Sequence, residues 1–260
     1  MIFIMYQVDA FAEKVFSGNP AAVVPLKEWL PDEMMQNIAM ENNLSETAFF
    51  IPEGMGFHIR WFTPVSEVDL CGHATLASAH VIFEHLGFEK DEISFQSRSG
   101  ILKVKRDEDF IVLDFPSSEL NAVESPENIE KAFGETPREC IKGKDDLMLV
   151  FESEETIRNL SPDFDFIKTL DARGVIATAP SETFDFVSRF FAPLEGINED
   201  PVTGSAHTML IPYWKKELDK TEMKAKQISA RGGVLHCKFN GDRVEIGGKA
   251  VSYLTGKITL

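Results

Sequence analysis

Cysteine is scarce in this chain, and its scarcity removes two classes of architecture. Only Cys71, Cys140 and Cys237 occur in 260 residues, an odd number without C-x-x-C spacing, so neither a disulfide framework nor a zinc site is indicated and a reducing compartment fits. Basic residues are also few: 26 Lys and Arg stand against 42 Asp and Glu, a formal net charge of −16 and a pI near 4.8. Such a surface repels phosphate backbones and anionic headgroups, which argues against nucleic acid and membrane partners. No stretch approaches the ~20 apolar residues that cross a bilayer. The opening Met-Ile-Phe-Ile-Met-Tyr-Gln-Val-Asp has no basic leader and alternates like a first strand, so the expected location is the cytoplasm. Nucleotide signatures are missing as well, since the GGKA at 247–250 is a glycine turn without GxGxxG or GxxxxGK[ST] context. No metal motif appears.

What is present is an ordinary globular composition, 43% hydrophobic and 26% charged, in a length that suits one large domain or two small ones. The chain also repeats itself once. ETAFFIPEGMGFHIRWFTP at 46–64 aligns without a gap on VIATAPSETFDFVSRFFAP at 175–193, an offset of 189 − 60 = 129 when Arg60 is set on Arg189. CGHAT at 71–75 falls opposite TGSAH at 203–207 once a three-residue insertion is allowed, and SRSGILKV from Ser97 matches ARGGVLHCKF from Ala230. Three blocks in one order point to duplication, the architecture most easily missed if repeats are not sought first.

Each half reads as the same elements. Phe57–Phe62 and Asp185–Phe190 alternate with the period of strands. A helix is expected from about Thr75 to His85, ending at Gly87, and another from near Ser205, kinked or shortened by Pro212. Hairpins follow at 100–104 with 110–115 and at 234–239 with 243–246, the second turning through Asn240-Gly241. A further helix over Pro31–Met40 carries Asp32 and Glu33 in its first turn. The fold class is therefore α+β: two pseudo-symmetric duplicated halves, each a mostly antiparallel sheet with a helix started by a Gly-containing loop. The expected boundaries are 1–116 for the N-terminal half, 117–146 for an acidic connecting segment and 147–260 for the C-terminal half. If both Gly-loops face one cleft, two helix N-termini make the local anion site that so acidic a chain would need for a carboxylate substrate.

Duplication supplies a control, because residues needed only for folding should recur in both copies. Glu46 does not: its counterpart is Val175. A carboxylate where the sister copy takes valine sits in a partly apolar setting, which suits general acid/base work; a solvent-facing loop glutamate is the plainer reading. In Asp69-Leu70-Cys71-Gly72-His73-Ala74-Thr75, Gly72 allows close backbone approach to a ligand, and His73 could relay a proton or merely cap its own turn. The sister block, Asp200-Pro201-Val202-Thr203-Gly204-Ser205-Ala206-His207, puts Gly204 and Ser205 in the places of Gly72 and His73. Ser205 could be an N-cap or a carboxylate donor, and Asp200 could orient a substrate amine or hydroxyl. His80 and His207 lie within helix patterns and read as packed or solvent-facing, and His58, His85 and His236 lack partner spacing.

Glu46 in NLSETAFF, the Asp-x-Cys-Gly-His-Ala-Thr block and Glu-Asp-Pro-Val-Thr-Gly-Ser-Ala-His together resemble the PhzF-like phenazine-biosynthesis family. The resemblance runs from VDAF and SGNPAAVV (Ser17–Val24) to the closing Gly-Gly-Lys-Ala-Val. It implies the diaminopimelate epimerase-like fold, in which each half wraps a sheet around a central helix. It implies Glu46 as acid/base, His73 and Asp200 as relay or orienting groups, Gly72, Gly204 and Ser205 as carboxylate binders with Asn19 also at the substrate, no cofactor, and a homodimer. The related epimerases use two opposed cysteines. Here Cys71 has Thr203 opposite it, so a single base moving a proton within a small carboxylate-bearing substrate is the leading expectation. An amino-acid epimerase or racemase, or an inactive protein that binds a small acid or a partner protein, are the alternatives.

Overall fold

The chain's computed structural model describes residues 1–260. Eighteen strands and six α-helices alternate along it. The first copy comprises β1 (Ile2–Ala10), β2 (Asn19–Pro25), α1 (Asp32–Asn42), β3 (Glu46–Glu53), β4 (Gly56–Phe62), β5 (Glu67–Val68), α2 (Gly72–His85), β6 (Glu92–Ser97), β7 (Gly100–Asp107) and β8 (Phe110–Pro116). Next come β9 (Asn121–Ala122), α3 (Ile129–Phe133), β10 (Glu139–Lys142), β11 (Leu147–Val150), α4 (Glu154–Asn159), α5 (Phe164–Ile167), β12 (Val175–Pro180), β13 (Phe186–Ala192) and β14 (Ile197–Asp200). The chain closes with α6 (His207–Leu218), β15 (Glu222–Gln227), β16 (Gly233–Phe239), β17 (Arg243–Gly248) and β18 (Ala250–Thr259).

The pairing repeats as the sequence does. In the first copy β1–β2 is antiparallel, β2–β3 parallel, β3–β4 antiparallel, β4–β6 parallel and β6–β7 antiparallel. In the second, β10–β11, β11–β12, β12–β13, β13–β15 and β15–β16 follow the same alternation. Each parallel pair is joined by a helical crossover, as parallel neighbours require. A side-chain detail repeats too. Arg60 Nε donates to Glu67 and Arg189 Nε to Glu199, both at 2.7 Å. Glu67 and Glu199 are 199 − 67 = 132 apart, the strand offset plus the three-residue insertion.

Helix α2 buries eleven of its residues, so it has no wet face on which to place polar groups. Its internal hydroxyls are satisfied by its own backbone: Thr75 Oγ1 donates to the Cys71 carbonyl at 2.6 Å and Ser78 Oγ to the Ala74 carbonyl at 2.7 Å. The helix packs on β1, β2, β3 and β18. Helix α6 buries His207, Met209, Leu210, Ile211, Tyr213 and Trp214 and runs through Pro212 without ending there. Proline lacks the N–H that would bond the carbonyl four residues back. That carbonyl, on Thr208, is instead taken by the Ser118 N–H at 3.0 Å, which is why the expected shortening does not occur.

The compact units differ from the expected boundaries. One comprises Met1–Asp114 with Gly247–Leu260, the other Phe115–Ile246. The stretch 117–146 is not a separate connector, because β9 and β10 pair with each other and β10 with β11. The last fourteen residues do not stay with the second copy, because β18 runs antiparallel to β1 from Ile2↔Thr259 to Ala10↔Ala250. Hydrophobic alternation marks a strand but not its partner, so this return of the C-terminus is invisible to periodicity.

Candidate active site

In the first unit, the residues singled out by the missing symmetry converge. Helix α1 ends at Asn43, whose left-handed backbone (φ 49) turns the chain into β3, whose first residue is Glu46. Parallel pairing sets Glu46 opposite Ala21 of β2. His73 is the second residue of α2, after Cys71 at the N-cap. The two side chains meet: Glu46 Oε2 lies 3.1 Å from His73 Nε2, with side-chain exposures of 14% and 6%. Val175, the counterpart of Glu46, is fully buried, so the apolar setting inferred from the repeat holds in the sister copy.

The contact is close but not aligned. Glu46 Oε2 and His73 Nε2 both count among the buried polar atoms without a directed hydrogen bond, although they are 3.1 Å apart. Buried polar atoms are almost always paired, and catalytic contacts often align only when substrate is bound. The opposite ring nitrogen, Nδ1, has Asn19 Nδ2 at 3.2 Å and Cys71 Sγ at 3.5 Å. Burial works against a charge on His73, yet Cys71 and Glu46, facing its two ring nitrogens, outweigh it and hold the pKa well above the ordinary histidine value. Burial first, and the Glu46 charge second, push Cys71 upward, so it remains a thiol and the carboxylate is the group that stabilises the imidazolium.

Glu46, Cys71 and His73 are also the one group of three metal-type donors, with ligand atoms within 4.8 Å of one another. The ring stands between the other two, sulfur at Nδ1 and carboxylate at Nε2. Those donors do not share a ring nitrogen, so the set suits proton exchange better than a tetrahedral metal.

In the second unit, Asp200 ends β14, is 8% exposed and accepts a hydrogen bond from Thr203 Oγ1. Gln227, fully buried at the end of β15, holds the turn: its Nε2 donates to the Asp200 carbonyl at 2.8 Å, and its Oε1 accepts from the Thr203 N–H at 2.9 Å. Gly204 and Ser205 lie in the turn before α6, and the helix begins at His207 with Ala206 at the cap position. Ser205 is therefore not the N-cap; its Oγ accepts from Arg173 Nη2 at 3.1 Å. Arg173 also grips buried Asp146 through two bonds, at 2.9 and 2.6 Å. Burial opposes the Arg173 charge, and the Asp146 carboxylate more than restores it. His207 donates from Nδ1 to the Thr203 carbonyl at 2.9 Å and is packed, the first of the two readings its helical position left open.

Gln227, Arg173 and Asp146 were not legible as site residues. None of them falls in a repeated block, and only folding brings them to the Asp200–Ser205 turn. Asn19 was read as a substrate contact, but its side chain is fully buried against His73.

The duplicated α+β scaffold has counterparts among known proteins. The profile of the phenazine biosynthesis-like protein family matches residues 8–256. An uncharacterized isomerase of Pseudomonas aeruginosa is 52% identical over 255 residues, 98% of each chain. The crystal structure of a PhzF-family phenazine biosynthesis protein from Enterococcus faecalis superposes with a TM-score of 0.98 at 49% identity, covering 100% of both chains. A predicted epimerase from Pseudomonas aeruginosa shares the fold at a TM-score of 0.78 and 19% identity, over 99% of each chain. This chain belongs to the phenazine biosynthesis-like, PhzF family, and its class is that of an isomerase on the diaminopimelate epimerase-like fold.

Proposed function

We propose that this protein is a cofactor-independent isomerase in which Glu46 removes a proton from one carbon of a small carboxylate-bearing substrate and returns it to another. The observation that carries the reading is the buried Glu46–His73 contact of 3.1 Å, whose two facing atoms lack directed hydrogen bonds. Glu46 itself holds the proton between the two transfers, and the His73 imidazolium faces the carboxylate from which the cycle starts and to which it returns, so the base is regenerated without a metal or organic group. In the first unit Gly72 opens α2 beside His73 as a backbone donor for a carboxylate; in the second, Asp200 and the Gly204–Ser205 turn offer polar groups of the same kind, with the Arg173 charge behind the Ser205 hydroxyl offsetting the acidity of the chain. A charge-assisted donor of this kind is what a net −16 molecule needs for an anionic ligand.

Two-thiol epimerisation is the second reading, because Cys71 stands beside His73. The residue opposite it by the repeat is Thr203, and the remaining thiols, Cys140 and Cys237, lie buried in β10 and β16. A single strong base moving a proton within the substrate fits this inventory better.

The test is a screen of dihydro-hydroxyanthranilate and a panel of amino and hydroxy acids in deuterated buffer, with wild type and Glu46→Gln. Wild type should convert at least one of them, and the variant should lose ~10²- to 10⁴-fold in kcat, the span of positioned acid/base catalysis. Turnover undiminished in Glu46→Gln sinks the mechanism. Deuterium entering a chiral centre with inversion would favour epimerisation.

A further inference from the structure

Asn19 is named by the resemblance as a substrate contact, yet none of its surface is exposed. Its amide lies 3.2 Å from Nδ1 of His73, while Glu46 meets Nε2. We propose that Asn19 is a positioning residue, which grips Nδ1 of His73 so that Nε2 stays on Glu46 in both protonation states of the ring. This inference rests on the reading that His73 supports Glu46 as the base.

The chemistry requires a group that can both donate and accept. A neutral ring protonated on Nε2 presents a bare Nδ1, which wants a donor; an imidazolium presents Nδ1–H, which wants an acceptor. A carboxamide offers an NH₂ on one side and a carbonyl oxygen on the other, and half a turn exchanges them. A carboxylate would serve only the imidazolium. The other group at Nδ1, the Cys71 thiol at 3.5 Å, is a weak donor and a weak acceptor. When a base works through a second group, a third group usually fixes the second one's orientation.

The backbone is shaped to deliver this one side chain. Asn19 opens β2 opposite Ala10 of β1, and the loop between them carries three positive-φ residues, Phe11 (φ 57), Phe16 (φ 70) and Gly18 (φ 68). Two of the three are aromatic residues for which that region is costly, and such outliers persist only where surrounding structure enforces them. Enforcement is visible: the Phe16 N–H donates to buried Asp9 Oδ2 at 2.9 Å. A Cβ on Gly18 would stand 2.2 Å from the Ala10 carbonyl oxygen, so only glycine lets the chain turn into Asn19.

The experiment uses the full chain labelled with ¹⁵N-histidine, free of ligand, with His73→Asn assigning the His73 signals. Asn19→Leu should move the His73 Nδ1 shift away from its hydrogen-bonded value and mix the tautomers. Asn19→Asp should move the His73 titration to higher pH, because an adjacent carboxylate favours the cation. Asn19→Ser keeps a smaller donor and acceptor and should give an intermediate shift even if the leucine variant folds poorly. Gly18→Ala, which displaces the amide without deleting it, should reproduce the leucine signature. With any ligand that turns over, Asn19→Leu should lower kcat ~10- to 100-fold, the usual cost of losing an orienting partner, and leave KM unchanged. His73 signals identical across all Asn19 variants, or a raised KM with kcat intact, would overturn the assignment. Activity surviving in Glu46→Gln would remove the proposed reaction, while the ligand-free spectra would still decide for or against Asn19.

Discussion

Three histidines on the two buried helices show how neighbours decide protonation. Burial pushes His207 and His80 down to about 4. His73, buried like His207, moves the other way because Cys71 and Glu46 face it. The stability consequences have opposite signs. For His80 and His207 the unfolded chain takes up protons first, so their contribution is complete above the ordinary value of 6.5 and is lost as pH falls from there toward about 4. For His73 the contribution is present below its unfolded value and is lost as pH rises through its higher folded pKa. Thermal unfolding followed by circular dichroism should therefore show Tm falling as pH drops from 6.5 toward 4. In a double variant, His80→Asn with His207→Gln, that acid slope should flatten. An unaltered slope would assign the acid sensitivity to carboxylates alone.

At the scale of elements, α2 is the structural centre of the first unit and the support of the site, since Cys71 caps its start and Gly72 and His73 open its first turn, while most of the helix that follows is buried. Leu76 is 0% exposed, so Leu76→Ala removes packed methyl groups where the surroundings are already dense. A loss of about 2–5 kcal/mol is expected for such a cavity, measured by urea unfolding with the m-value unchanged. The helix was expected from Thr75 and begins at Gly72. Its start is hard to read because Cys71 makes no side-chain cap bond, and a Cys-Gly-His sequence carries no capping signal. The α6 start was expected near Ser205 and lies at His207 for a related reason: the serine hydroxyl turns to Arg173 instead of the helix amides.

Over the whole length of the chain, the first unit is completed by a strand from the far end of the sequence. β18 lies against β1 over the full length of the latter, and Ala12 and Lys249 are joined backbone to backbone at 3.0 Å. A chain ending at Ile246 loses every β18 contact of β1, exposing a nine-residue strand edge of the kind that folded proteins keep paired or covered. Such a truncation should abolish amide-exchange protection in β1 and β2 and drive aggregation. Protection retained in those strands would show that the first unit closes without its C-terminal strand. No helix of the chain is long and apolar enough to cross a membrane, in line with the short apolar runs of the sequence.

By itself the sequence determined what depends on local pattern and on comparison of its own two copies. Period-two alternation placed β4 and β13, Asn240-Gly241 placed the turn between β16 and β17, and the unmatched glutamate opposite Val175 singled out Glu46. These follow from side-chain direction and turn chemistry, which act over a few residues. Tertiary structure alone decided which distant groups meet: Asn19 on His73, Arg173 behind Ser205, Gln227 across the Asp200 turn, and β18 against β1. Each of those contacts joins residues from separate elements, and nothing in the local chemistry of one strand specifies which polar group another strand or loop will bring to it.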